Sequence, residues 1–304
     1  MTWGFLWDPG NVLSARIMTV EAEPRIIDVS GDDLALVLHA YGTTGILLDI
    51  TMPLAPHYPW VETMWAFATM PEAIAFSQAL AASPDIVKRD VATIQRGIPY
   101  TFKPLAPWLK PDDHIVLAST SATSDAALSE LGTRFGAERR FHLSEGDLAT
   151  LKLRPNYEYG WNHATLNFLR SDRSVTYIQC GYPRGQEIAC VAALHAALGD
   201  EAMVQLQWIR DGEHIVGAGL NVIRYTTPER LRAIAAIHRD LGIEVSNCHS
   251  FQVEMGGPSG EHHRAMARFK AQVDPLHLLN PGKLAAAAAK EPISPSLVPE
   301  SFVL

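Results

Sequence analysis

Two histidines stand where proton transfer is chemically plausible. His163 lies in GWNHATLNF and His249 in NCHSFQVEMGG, stretches low in charge and rich in aromatic and amide groups. A neutral imidazole in such a setting is poised near pH 7 to accept a hydroxyl proton. Glu254, five residues after His249, is placed to orient or polarise it. Arg154, Arg170 and Arg184 are candidate anchors for a carboxylate, which a guanidinium grips with two parallel hydrogen bonds. A histidine is usually a hydrogen-bonded or exposed side chain, so His57, His114, His142, His195, His238, His262, His263 and His277 are read that way.

Two further stretches could hold a ligand through the backbone. AYGTTGI (40–46) carries a Gly-x-x-Gly turn, where glycine lets amides approach a phosphate or ring closely. By itself such a turn is also an ordinary connection between a helix and a strand. FKAQVDPLHLLNPGKL (269–284) runs a helix into Pro275, which cannot continue it, and then turns on Asn280-Pro281-Gly282. A helix stop and a turn explain these residues locally, without a ligand.

The elements that must position these groups follow from periodicity. VLSARIMTVEAEPRIIDVSG alternates and breaks like a hairpin, and DDLALVLHA reads as a helix capped by Asp32 and Asp33. ILLDIT then reads as a buried strand ending near Pro53 and Pro56. From about residue 57 strands and helices alternate. WVETMWAFATM, DIVKRDVATI and HIVLAST are strands; MPEAIAFSQALAAS and SDAALSELGTRFG are helices, the second with Ser124 as its cap. A second round runs ATLNFLR, VTYIQCGY, helix GQEIACVAALHAAL, MVQLQWIR and GAGLNVIRYT, closed by helix TPERLRAIAAIHRDLG. This order predicts an α+β chain with paired ferredoxin-like halves, their antiparallel sheets covered by helices on one face. The tail AAAAAKEPISPSLVPESFVL reads as an extended strap.

Composition narrows the partners. A length of 304 residues suits about two domains. The formal net charge of −8 lacks the basic surface that nucleic acid requires. No apolar run approaches the roughly 18 residues of a membrane span, and the first residues do not form a secretory signal. Cys180, Cys190 and Cys248 have no CxxC spacing, which suits reduced thiols in the cytoplasm.

Three motifs in this order, WGFLWDPGNVL, LHAYGTTGILLDITMPLAP and DPLHLLNPGKL, resemble the C-terminal two thirds of FAD-linked oxidases and dehydrogenases of the vanillyl-alcohol oxidase / p-cresol methylhydroxylase family, which includes D-lactate and glycolate dehydrogenases. The resemblance covers essentially the whole chain. It implies residues 1–56 as the C-terminal half of a PCMH-type FAD-binding domain, 57–250 as a ferredoxin-like substrate or cap domain, and 251–304 as a segment returning to the FAD domain. It implies FAD as cofactor and oxidation of a small alcohol or 2-hydroxy acid by hydride transfer, with the electron acceptor left open and a homodimer compatible. Carried over, Tyr41, Gly42, Gly45 and Ile46 would lie against FAD; Gly4, Gly10 and Asn11 would belong to the preceding flavin-lining loop; Asn280 and Lys283 would sit near the isoalloxazine or ribityl chain.

The family's Gly-rich pyrophosphate loop has no counterpart in these residues, so an N-terminally truncated form is expected. The alternative is a non-catalytic module or subunit that completes a flavin site with another chain. Some relatives hold a divalent cation through His-x-Gly-Asp-Gly-Asn-x-His; in EHIVGAGLNVIRY only His214 remains, with Ala218 and Val222 at the Asp and second-His positions, so no metal is expected.

Overall fold

The computed structural model describes Gly4, Asp8 and residues 10–246, 250–255 and 260–285. They form two compact units, one continuous over 56–245 and one that joins residues up to 55 with those from 246 onward. The discontinuous unit begins with the expected hairpin: β1 (Ser14–Met18) pairs antiparallel with β2 (Ile26–Ser30), Ser14 opposite Ser30. A third strand, β3 (Ile46–Thr51), pairs with the other edge of β1, giving the order β2-β1-β3.

Two expectations fail in this region. DDLALVLHA forms only a 3-10 segment, Gly31–Leu36. Its continuation is cut off because the chain enters left-handed backbone at His39 (φ 54°) and Tyr41 (φ 52°), which an α-helix cannot include. The turn is locked by Thr43 Oγ1 donating to Ala40 O and Thr44 Oγ1 donating to Leu36 O. ILLDIT is a strand but not a buried one, since every residue of β3 is exposed at the sheet edge. Apolar content alone predicts burial; edge position overrides it.

The continuous unit begins with β4 (Trp60–Phe67), α1 (Met70–Ala82), β5 (Lys88–Ile94), β6 (His114–Ser121), α2 (Asp125–Arg134) and β7 (Glu138–Ser144). The strands lie in the order β7-β4-β6-β5, the arrangement of a ferredoxin-like β-α-β-β-α-β half. Linking segments include α3 (Glu145–Leu151) and α4 (Trp161–Ser171). The second half follows with β8 (Val175–Gly181), α5 (Glu187–Leu198), β9 (Ala202–Met203), β10 (Gln205–Asp211), β11 (His214–Arg224), α6 (Pro228–Asp240) and β12 (Glu244–Ser246). Its order, β12-β8-β11-β10, repeats that of the first. Antiparallel pairing of β10 with β5, Gln207 opposite Ala92, fuses both halves into one nine-stranded sheet.

Helix starts follow the sequence signals. In α1, Thr69 accepts from the Glu72 amide while Glu72 accepts from the Thr69 amide, with Pro71 in the first turn. Such a cap contributes about 1 kcal/mol. The apolar stripes of α1, α2, α5 and α6 pack Phe76, Leu128, Leu194 and Ile234 against Trp65, Val91, Leu206 and Trp208 on one sheet face. At Gly132 an added Cβ would lie 2.4 Å from the Trp65 ring, so glycine is what lets α2 sit so close to β4.

Other details differ from expectation. The opposite sheet face is not bare: Phe102, Leu105 and the α4 residues Ala164 and Phe168 cover Met64, Ala92 and Leu117 there. ATLNFLR, set ahead of a strand, belongs to helix α4; its seven letters alternate like a strand, whereas the buried Ala164, Thr165 and Phe168 share one helix face. Ser124 precedes α2 but makes no cap bond, because its Oγ accepts from the Val87 amide instead. β7 escaped notice because ERRFHLS is polar, as suits an edge strand.

The chain then returns to the discontinuous unit as α7 (Gly260–Val273). Val273 and Phe269 close a core with Val12, Ala15, Ile17, Val29 and Val37, and Met266 packs with Ala40, Val253 and Leu284. Cys180 and Cys190 are buried and in no disulfide among the described residues; Cys248 and the strap over 286–304 lie outside the described residues. Among the described residues no helix is long and apolar enough to cross a membrane.

Candidate functional site

In the discontinuous unit the two ligand-binding stretches meet. Asn280 Nδ2 donates to Tyr41 O at 2.5 Å, with a longer contact of 3.4 Å to Gly42 O. Tyr41, Gly42, Asn280 and Gly282 all have positive φ, so the contact joins two tight turns. An added Cβ at Gly42, at φ 65°, would lie 2.8 Å from Asn280 Nδ2, so a side chain there would be strained and would displace the Asn280 amide. At Gly45 an added Cβ would lie 2.8 Å from Ile17 Cδ1, so this glycine serves close packing on β1. Tyr41 OH shares a hydrogen bond with Ser250 Oγ at 3.0 Å. Lys283 Nζ lies 3.9 Å from the Phe251 ring centroid, and the Val253 amide donates to Lys283 O.

Beneath these turns a buried ion pair fixes the geometry. Lys270 Nζ, on α7, is 2.5 Å from Asp274 Oδ2 and also donates to Thr43 O and Leu279 O. Asp274 accepts from the Leu278 and Leu279 amides. Burial opposes its charge, but the Lys270 ammonium and both amides outweigh burial and hold its carboxyl below the usual range. The Asp-Pro that ends α7 is therefore an anchor: one carboxylate binds the last helical turn, the following loop and, through Lys270, the AYGTTGI turn.

Among the other expected flavin-lining residues, Gly10 and Ile46 are exposed, while Gly4 and Asn11 are buried. The Asn11 amide donates to Asp8 O at 2.9 Å. Glu254 falls in a 3-10 turn, Val253–Met255, and is partly buried. His249 lies outside the described residues.

His163 belongs to the continuous unit, on α4. Its Nδ1 lies 3.4 Å from Glu158 Oε2, which Arg154 also approaches at 3.3 Å, and its ring is half-exposed. The helix it rides on starts at Gly160, where an added Cβ would lie 2.9 Å from Gln207 Oε1 and 3.4 Å from Ala92. Glycine thus lets this turn rest directly on the sheet, with Trp161 in left-handed backbone at φ 45°.

Under that turn lies a group the sequence reading missed. Glu62 and Asp90 flank Ser119, their common register partner on β6. Glu62 accepts from Arg89 Nη2 at 2.8 Å, from the Asn156 amide at 3.0 Å and from Ser119 Oγ. Arg89 in turn lies over the rings of Trp60 and Tyr157. A bulge on β5 shifts the register between Lys88 and Asp90, so Arg89 and Asp90 reach the same side. Asp90 Oδ1 accepts from Gln207 Nε2, whereas Asp90 Oδ2, Gln207 Oε1 and both amide atoms of Gln205 are buried without a partner among the described residues.

Burial, reinforced by the charge on Glu62, pushes the Asp90 carboxyl up. A raised folded pKa means the protonated form is the one the fold favours. The contribution of Asp90 is present below its unfolded value near 3.9 and lost as pH rises through the folded value. Asp90→Asn is therefore expected to stabilise the chain at neutral pH and to change little in acid. Urea unfolding at two pH values tests this, and a variant less stable at both contradicts it. The available signal was an acid in the middle of an apolar strand, Glu62 in WVETMWAF and Asp90 in RDVATI.

No family model and no curated protein matches the chain. Solved structures do. The chain is similar to alkyldihydroxyacetonephosphate synthase in two crystal forms, with TM-scores of 0.58 and 0.53, 12% identity, and coverage of 90% and 89% of this chain. It is similar also to Physcomitrella patens BBE-like 1, with a TM-score of 0.56, 11% identity and 91% coverage. The chain spans 54% and 53% of the two synthase chains and 66% of the BBE-like protein. The mixed α+β fold with antiparallel sheets is the fold of these PCMH-type neighbours.

Proposed function

We propose that the chain is part of an FAD-dependent oxidoreductase that oxidises a small alcohol or 2-hydroxy acid. The observation that carries this reading is the direct clasp of Asn280 on Tyr41 and Gly42, the two stretches a flavin site would need, in a PCMH-type fold. Residues 1–56 and 251–304 then belong to the flavin domain and 57–250 to the substrate domain.

The donor set fits such a cofactor. Tyr41 and Phe251 offer exposed rings, Lys283 offers an ammonium over the Phe251 ring, and the positive-φ turns bring backbone close to the surface. Tyr41, Gly42, Gly45 and Ile46 would hold the cofactor from one side, with Asn280 and Lys283 from the other stretch; Gly4, Gly10 and Asn11 would contribute the preceding loop. Bound FAD supplies a hydride acceptor. The proton work would fall to this chain: His163, whose Nδ1 lies 3.4 Å from Glu158 Oε2, would take the hydroxyl proton, and His249 with Glu254 is the second candidate base.

In this reading His163→Gln and His249→Gln each slow single-turnover flavin reduction by about a hundredfold. Unchanged reduction in both variants refutes the assignment of the bases.

One observation favours a second reading, a subunit that completes a flavin site with another chain. Ile46, Leu47, Leu48 and Ile50 of β3 are exposed along a sheet edge, a surface that readily pairs with further chain. Flavin uptake by the chain alone separates the two readings.

A further inference from the structure

The continuous unit holds a cleft of about 670 Å³, a size typical of small-molecule sites. It is bounded by the C-terminal end of α1, the start of β5, the β8–α5 loop and the turn between β10 and β11. Lys88, Arg184 and Arg210 line it, with Trp208 and Ile215 as apolar surface.

The charges there are unbalanced. Arg184 and Arg210 have no carboxylate within ion-pair distance among the described residues. Lys88 is anchored through Nζ to Ser83 O and Ile86 O at the end of α1. Burial first, then the Arg210 charge, pulls its ammonium down to about 8. None of the acids facing the cleft pairs with these two arginines among the described residues: Glu187 is buried and accepts from Gln78 Nε2 at 2.8 Å, Asp90 is pushed towards its neutral form, and Glu213 is exposed on the turn beside His214, while Arg89, also on the lining, is held by Glu62. Cations crowded into a concave, partly apolar surface are a costly arrangement that an anion relieves.

We propose that this cleft binds a small organic oxyanion, a phosphate monoester or a carboxylate, with Arg184 and Arg210 gripping the charged group and Trp208 and Ile215 bounding its apolar body. Arginine suits this task because its planar fork matches two oxygens of either group. The site needs no flavin and stands independently of the oxidoreductase reading.

Calorimetric titration of the full chain with phenyl phosphate, benzoate and inorganic phosphate at low salt tests it. Saturable binding of at least one probe is expected, weakened about tenfold or more in the Arg184→Gln/Arg210→Gln double variant, which corresponds to loss of one charge-assisted contact. Both arginines are exposed, so the double variant should keep the wild-type melting temperature. Phenyl phosphate above inorganic phosphate assigns an organic phosphate, and benzoate above both assigns a carboxylate. Binding near pH 8 should also take up protons as Lys88 regains its charge, and should protect Lys88 from amine-directed labelling. Absence of binding by all three probes at millimolar concentration, or binding unchanged in the double variant, overturns the proposal.

Discussion

Asp274→Asn is expected to destabilise the chain by about 3–5 kcal/mol, the usual cost of stranding a buried charge. Both partners are almost fully buried, Lys270 at 2% and Asp274 at 0% exposure, so water cannot replace the lost carboxylate. The same two oxygens hold the Leu278 and Leu279 amides, so the loop before Asn280 loses one of its two acceptors as well. Urea unfolding measures the loss. The double variant Lys270→Met/Asp274→Leu should recover a large part of it, because two apolar side chains strand no charge. The pH dependence has a definite sign. A folded value held below the ordinary one makes the contribution complete above about pH 4, and it fades only as pH falls through the folded value. A single variant as stable as the wild type at pH 7 would show that the pair is not the anchor.

A comparable loss is expected in the continuous unit. Glu62→Ala removes the acceptor shared by Arg89, Ser119 and the Asn156 amide, leaving the buried Ser119 and Asn156 donors unsatisfied at about 1–3 kcal/mol each, or about 2–6 kcal/mol together. Glu62→Gln keeps one acceptor and should cost less. It also removes a charge that adds to burial in raising Asp90, so the Asp90 carboxyl should titrate at lower pH in this variant. Thermal unfolding gives the first result, and carboxyl chemical shifts followed against pH give the second. An Asp90 titration unmoved by Glu62→Gln would show that the two carboxyls act independently.

The course of the chain could be read ahead where local signals agree. Pro71 in the first turn marks the start of α1, and Thr227 with Pro228 starts α6. Such caps, together with run length, lead to the two β-α-β-β-α-β rounds. Competition between signals misleads elsewhere. ATLNFLR alternates yet is helical, because Gly160 starts the helix and the partners of Phe168 lie across the sheet. DDLALVLHA has helical spacing, but the AYGTTGI turn bends the backbone before a helix can continue.

The functional groups divide in the same way. Glycine and asparagine in AYGTTGI and NPGKL mark backbone that other residues resist, so both turns stand out as letters. Their contact does not, because Asn280 bonds to main-chain oxygens that every residue carries. Glu62 and Asp90 are brought together only by the register of β4, β5 and β6 and the bulge at Arg89, which no local pattern specifies. Arg184, picked as an anion anchor by type alone, lies in a cleft with Lys88 and Arg210 that only the tertiary structure assembles.

The most direct test of the flavin reading is a titration of FAD into the purified chain, followed by flavin fluorescence and absorbance, with Asn280→Ala alongside. Saturable quenching by the wild type is the expected result, weakened about tenfold or more in the variant, as loss of the clasp on Tyr41 and Gly42 would cause. FAD that stays fully fluorescent beside folded chain up to about 1 mM, a binding free energy weaker than about −4 kcal/mol, would contradict the account.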